Sequence, residues 1–364
     1  MPQATSLEDL MRIRAANRGF LDSINGHLGT ALGFKRETGA NAPSDTPAVI
    51  VFVPQKINPR WLPGDQLLPK QLDGPEGLTC PLDVVEGSKA EDEDPVARAT
   101  GELSEQLRGW DDRISVGSQV AHWIDSQAGE YSMGTLGAFA RDADDHLGFL
   151  TNQHVAIEPG QQIFHPVPWG TKVGTTADAI TWVRDQNWYG PHIDEPDTYV
   201  RVDCAFVRLV DAEALPRNDL NPEMKEADDD GNVIGQHELG PVLDITLNDM
   251  FPIGQRVRRI GRTTGQRRGT IVAFGYEHRD QADVTVYSDL LIIGDNGVSF
   301  STHGDSGSLI VTDDASLNPI GLLWGGWQEK LRLGRDQENW TYGIALSRVL
   351  TALGITLVRK ADEL

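Results

Sequence analysis

The rhythm of apolar and polar positions changes three times along the chain. From Leu7 to about Leu32 the apolar residues Leu10, Met11, Ile13, Leu21 and Ile24 recur at mixed three- and four-residue spacing, which predicts one or two amphipathic helices, interrupted at Gly19. The run "PAVIVFVPQK" follows, β-branched and bounded by prolines as a buried strand is, and then "LLPKQL" and "LDVVEG". Residues 1–87 therefore read as a small α/β domain. The stretch "GSKAEDEDPVARATGELSEQ" is polar and acidic with no strand periodicity, so residues 88–112 are expected to be a linker or mobile segment.

Beyond residue 112 the texture becomes short apolar runs separated by Gly, Asp and Asn. Examples are "GTLGAFARD", "LGFLTNQHV", "DCAFVRLV", "RVRRIGRTTGQRRGTIVAFGY", "DLLIIG", "GDSGSLIV", "PIGLLWGGW" and "TYGIALSRVL". Many short strands at this spacing predict a mainly β domain over 113–358, an antiparallel sandwich or barrel rather than βαβ units, with 359–364 as a tail. Between Asp211 and Asp249 an acid-rich segment reads as a surface excursion. No repeat at solenoid or propeller period is visible.

Composition sharpens the class. The chain has 364 residues, 39% hydrophobic and 24% charged, with 38 glycines and 20 prolines, as a turn-rich globular protein has. A net charge of -22 repels phosphate backbones, so nucleic acid is not an expected partner. The first thirty residues carry charges throughout and lack an apolar h-region, and no apolar run is long enough to span a membrane. Cys80 and Cys204 stand far apart without metal-ligand spacing, so neither a disulfide framework nor a metal site is expected. The expectation is a cytoplasmic protein without a membrane partner.

Candidate chemistry lies in three segments. A serine hydroxyl is a weak nucleophile and needs a histidine base, an acid orienting that histidine, and amide donors for the oxyanion. "SFSTHGDSGSLIV" supplies Ser306 as nucleophile and, with the small Gly304, a backbone turn whose N–H groups at Gly304 and Ser306 can converge on one point. A side chain at 304 is expected to crowd the scissile carbonyl. The base candidate is His154 in "LTNQHV", and the acid is Asp203 in "VDCAFVRLV".

"TNQHV", "DCAFVRL" and "GDSGSLIV" resemble the three catalytic segments of trypsin-like (chymotrypsin-fold) serine peptidases, in the His, Asp, Ser order of that family. The likeness covers roughly 113–358. "GRTTGQRRGTI" and the N-terminal runs further resemble an intracellular subgroup found in bacteria and among the plant narrow-leaf proteins, with a small α/β domain before the peptidase domain. The resemblance implies a chymotrypsin-like double β-barrel, His154 and Asp203 in the first barrel and Ser306 in the second, no cofactor, and a homo-oligomer. It also implies that Asp305, whose counterpart in secreted members pairs with a freed N-terminus, must find another partner here. If Gly304 and Ser306 follow the family pattern, the substrate pocket has its base near Phe300, its wall at Trp324, Gly325 and Gly326, and His303 along the cleft. With no acid at that base, preference for Lys or Arg is disfavoured.

The expected function is a serine endopeptidase acting on protein or peptide substrates through an acyl-enzyme, the alternative being a catalytically silent protease-fold binding or scaffold protein. One feature stands outside this reading. Arg256, Arg258, Arg259, Arg262, Arg267 and Arg268 form a basic cluster in an acidic chain. It reads either as an anion site or as a solvated hairpin paired with carboxylates elsewhere, the second being favoured.

Overall fold

The computed structural model describes residues 2–36, 44–89, 101–109, 113–189, 198–211, 214–279, 284–326, 329–333 and 336–364. Two closed six-stranded rings form its body. In the first, Gln119–Asp125 pairs with Glu130–Thr135, which bends into Ala138–Arg141 and counts with it as one strand, and pairing continues through Leu147–Thr151, Thr198–Leu209, Thr171–Arg184 and Gln162–His165 back to Gln119–Asp125. In the second, the circuit runs Arg256–Gly261, Gly265–Arg279, Thr285–Gly294, Asp336–Ala345, Pro319–Gly325, Leu309–Thr312 and back to Arg256–Gly261. This is the mainly β, chymotrypsin-like double barrel that the sequence resemblance implied.

The continuous apolar runs have a geometric cause. Side chains alternate across a strand. On Thr198–Leu209, Ala205, Val207 and Leu209 fill the first barrel with Phe139, Phe149 and Val173. The intervening Val200, Val202, Cys204 and Phe206 join the core cluster shared with the second barrel. Both faces of the strand are buried, so polar alternation disappears, and the barrels meet along it.

At the N-terminal end, helix Leu7–Ala16 starts at Ser6, whose hydroxyl accepts the Asp9 N–H at 3.1 Å, and buries Leu7, Leu10, Met11 and Ile13. The break comes at Asn17 rather than the expected Gly19. The Asn17 side chain donates back to Ile13 O at 2.8 Å, closing the helix before Arg18–Asp22 resumes. Strand Pro47–Val53 is the predicted buried run, antiparallel to Gly29–Phe34 and parallel to Thr79–Lys89. Gly29–Phe34 also pairs antiparallel with Gly265–Arg279 of the second barrel, and both regions share one apolar core. The Glu277 carboxylate seals that seam, lying 3.1 Å from Arg14 Nε and 3.0 Å from Arg18 Nη2.

Within the segment expected to be a linker, Gly101–Arg108 is a helix with Leu103 and Leu107 buried, while 90–100 and 110–112 lie outside the described residues. The acid-rich excursion contains a hairpin, Met224–Ala227 with Val233–His237. Among the described residues no helix is long and apolar enough to cross a membrane.

Candidate active site

Strand Leu147–Thr151 ends at Asn152, and the short helix Gln153–Ala156 turns His154 toward the barrel junction. Asp203 comes from the neighbouring strand through a distortion of the ladder. Its partners run Ile180↔Cys204 and then Trp182↔Arg201, leaving an extra residue on the Asp203 side. Asp203 has φ +44°, a left-handed backbone that Asp tolerates better than most residues. A bulge of this kind re-aims one side chain. Here it delivers a fully buried carboxylate to the histidine: Asp203 Oδ2 is 2.8 Å from His154 Nδ1, and Oδ1 accepts the His154 backbone N–H at 3.0 Å. Asn152 Nδ2 donates to Asp203 O at 2.7 Å and fixes the bulge from the other side. Burial opposes the charge on Asp203, but the two His154 bonds, with Arg201 nearby, hold its carboxyl below the usual carboxylate value.

Ser306 sits in a loop tied to both barrels. Thr135, at the end of a first-barrel strand, donates its N–H to Ser306 O at 2.9 Å and its hydroxyl to Gly304 O at 2.8 Å. Gly307 N donates to Leu323 O at 2.9 Å, anchoring the loop to strand Pro319–Gly325. Gly307 has φ +93°, and a Cβ there would lie 2.3 Å from Thr135 O, 2.4 Å from Thr151 Oγ1 and 3.4 Å from Asn152 N. Glycine is required because the serine loop presses directly on the turn that carries His154. Among the described residues, neither the Gly304 nor the Ser306 backbone N–H has an acceptor within the protein, as amides waiting for an oxyanion should not. Gly304 has φ +88°, and a Cβ there would meet Arg262 Nη1 at 2.3 Å and Thr263 Oγ1 at 2.6 Å. The glycine thus makes room for these neighbours, a different crowding from that expected at the scissile carbonyl.

Asp305 has found its partner inside the fold. Arg259 Nη2 lies 2.9 Å from Asp305 Oδ2, both side chains being fully buried. The same carboxylate accepts the Thr264 hydroxyl at 2.8 Å and the N–H groups of Thr263, Thr264 and Thr302 at 2.9, 3.1 and 3.1 Å. Arg259 in turn donates from Nε to Phe300 O at 2.9 Å and from Nη1 to Gly265 O at 3.1 Å. The rest of the basic cluster is spent locally. Arg256 pairs with Asp295, Arg258 with Glu226 and Arg268 with Asp313, while Arg262 Nε donates to Gln119 and Arg267 to Gln266 O. The cluster is thus paired as the hairpin reading expected, at Arg256, Arg258, Arg259 and Arg268, with Glu226 supplied by the acid-rich excursion, but it is not wholly solvated: Arg258 and Arg259 are buried, and Arg262 and Arg267 bond an amide and a backbone carbonyl.

The pocket residues divide. Phe300 is fully buried beneath Arg259, its ring against Gly269, so it underlies the loop rather than lining open surface. His303 is exposed. Trp324 is largely buried, stacked on Tyr342 at 5.1 Å, and the half-exposed Gly325 has nothing within 4 Å of its Cβ position, as beside a cleft. Gly326 has φ +118°, and a Cβ there would lie 2.6 Å from Trp340 O. Trp327 of "WGGW" lies outside the described residues.

Cys204, beside Asp203, is buried, which pushes its thiol well above the ordinary value and leaves it a poor nucleophile. Asp142, Asp144 and His146 share one turn with donor atoms close enough for a metal. Asp142 is already occupied there: despite some desolvation, bonds from His146 and Arg208 bring its carboxyl down to about 2.

Sequence reasoning missed Thr135, Asn152 and Arg201, and named Arg259 only as one of the basic cluster. Their main partners are distant in the chain, and the only local signals were the nearness of Asn152 to His154 and of Arg201 to Asp203.

Comparison with known proteins finds two family models. The Nal1 C-terminal domain matches residues 97–362 and the NARROW LEAF 1 N-terminal domain matches residues 2–85. Protein NARROW LEAF 1 of Oryza sativa subsp. japonica is 36% identical over 381 residues, an alignment covering 100% of this chain and 62% of that protein. Among solved structures, Thermobifida fusca protease A is 20% identical with a TM-score of 0.43, over 68% of this chain and 99% of its own. A Nocardiopsis protease gives 20%, 0.43, 67% and 99%.

Proposed function

Because this chain belongs to the NARROW LEAF 1 family, we propose its activity from its own site: a serine endopeptidase working through an acyl-enzyme. The observation that carries the reading is the His154–Asp203 pair, a half-exposed imidazole held at 2.8 Å by a fully buried carboxylate beside the Ser306 loop.

Ser306 Oγ attacks the scissile carbonyl carbon as His154 Nε2 takes its proton. Asp203 holds Nδ1–H, which fixes the tautomer and stabilises the imidazolium. The carbonyl oxygen becomes an oxyanion facing the Gly304 and Ser306 amides. His154 then gives the proton to the leaving amine as the C–N bond breaks, and water repeats the sequence in reverse to free the acid and restore Ser306.

A second reading, a silent protease-fold binding protein, draws support from Phe300, which is fully buried under the loop and leaves the expected pocket base without that residue. Fluorophosphonate labelling separates the two. The wild type is expected to be labelled at Ser306 and to cleave a peptide library, with Ser306→Ala losing both; a correctly folded wild type that takes no label rejects the peptidase.

A further inference from the structure

We propose that Arg201 is the specificity-determining residue of this site, and that it takes the side-chain carboxylate of a substrate aspartate or glutamate on the acyl side of the cleaved bond. The inference rests on the peptidase reading. Its basis is how this guanidinium is held.

Arg201 lies two residues before Asp203 on strand Thr198–Leu209, directly opposite Trp182. Its guanidinium carbon stands 5.3 Å from the Trp182 ring centroid and 4.6 Å from that of Trp324. Trp324 is itself stacked on Tyr342, and Tyr342 on Tyr276 at 5.6 Å, so one side of the clamp is fixed by the second barrel. Trp182 is 42% exposed, so the other side opens to solvent. The guanidinium therefore spans the barrel junction, between the acid of the triad and the tryptophan expected to wall the cleft.

Stacking engages the faces of a guanidinium and leaves its edge of N–H donors available. Among the described residues Arg201 makes one ion pair, 3.5 Å from Nη2 to Asp203 Oδ2; its Nε is buried without a hydrogen-bond partner, so the exposed part of the group is its terminal Nη end. That aspartate is already committed to His154. The arginines nearest the serine loop are engaged otherwise, Arg259 by Asp305 and Arg262 by Gln119. Arg201, with a side chain 35% exposed, thus presents the terminal Nη end of a pre-oriented guanidinium beside Trp182 and Trp324. The planar Nη end of a guanidinium fits a carboxylate bidentately, and such charge-assisted bonds offset the repulsion that the chain's net negative charge exerts on an acidic side chain.

The test uses peptide pairs identical except for Glu or Gln at one of the first four acyl-side positions, assayed with wild type, Arg201→Gln, Arg201→Lys and Arg201→Glu. Fluorophosphonate labelling and thermal melting of each protein run in parallel. The wild type is expected to favour Glu over Gln in kcat/KM by roughly tenfold to a hundredfold at one position. That ratio should collapse toward one in Arg201→Gln, be intermediate in Arg201→Lys, and pass to a Lys-bearing peptide in Arg201→Glu. A wild-type ratio near one at all four positions, with Ser306 labelled, overturns the proposal and leaves the peptidase standing. So does a ratio that survives Arg201→Gln while kcat falls equally for both peptides, which would make Arg201 a positioning residue for Asp203. A folded wild type that neither labels nor cleaves rejects the peptidase and this inference together.

Discussion

Two aspartates flank the candidate nucleophile, and the protein treats them oppositely. Asp203 is aimed by a bulge at a half-exposed histidine, and its strongest partner is a group that exchanges protons. Asp305 is enclosed with Arg259, a permanent cation, and with one hydroxyl and three backbone N–H donors. Both carboxylates are fully buried, so burial alone does not distinguish them. The partner does: Asp203 is arranged to follow a change of charge, Asp305 to prevent any change of shape.

Substitutions should separate these roles. The largest effect is expected from Asp203→Asn, a near-isosteric change that removes the group stabilising the imidazolium. Turnover should fall by roughly 10⁴-fold while the melting temperature moves only slightly. Equal losses of activity and stability would erase the contrast. Next is Arg259→Met, which strands a buried carboxylate and should cost about 3–5 kcal/mol, read as a lower denaturant midpoint at unchanged slope. Its residual activity should track the folded fraction. A smaller loss, about 1–3 kcal/mol, is expected from Gly307→Ala, which combines a φ of +93° with contact on Thr135 and Thr151. Labelling of Ser306 should weaken more than stability does, because the displaced loop moves off the His154 turn.

The smallest effect concerns pH. The Asp203 carboxyl is held below its ordinary value, so it contributes stability above the unfolded value of about 4 and loses it as pH falls through the folded one. In acid titrations the stability gap between wild type and Asp203→Asn should therefore close below about pH 4. A gap that stays constant there would show that the His154 bonds do not bias the proton equilibrium of this group.

Much of this was legible in the chain. Glycine-flanked "GDSG", the apolar run ending in "TNQHV" and the acid heading "DCAFVRLV" are local patterns, and the fold brings the histidine and the acid into contact. The mainly β reading followed from short runs bounded by turn residues. The break at Asn17 was missed because a side-chain bond to Ile13 O, rather than a flexible residue, ends that helix. Phe300 was placed by register along one loop, and its direction depended on Gly269 of a distant hairpin. Arg259 stood among neighbouring arginines, and nothing local marks which of them turns inward. That is settled by the pairing of Arg256–Gly261 with Gly265–Arg279 and by the position of Asp305. Arg201 acquires its meaning only from two tryptophans, one in each barrel.

Thr135 carries a consequence for the life of the chain. It belongs to the first barrel, yet its N–H and hydroxyl hold Ser306 and Gly304 of the second, while its carbonyl accepts the Thr151 hydroxyl close to His154. During synthesis His154 and Asp203 are made first, and the serine follows about a hundred residues later in the chain. Until the second half docks, the Thr135 N–H and hydroxyl lack their partners and the Ser306 loop has no fixed address. On the peptidase reading proposed above, a nascent or half-folded copy would thereby be disarmed, and completion of folding would itself be the act that arms the molecule.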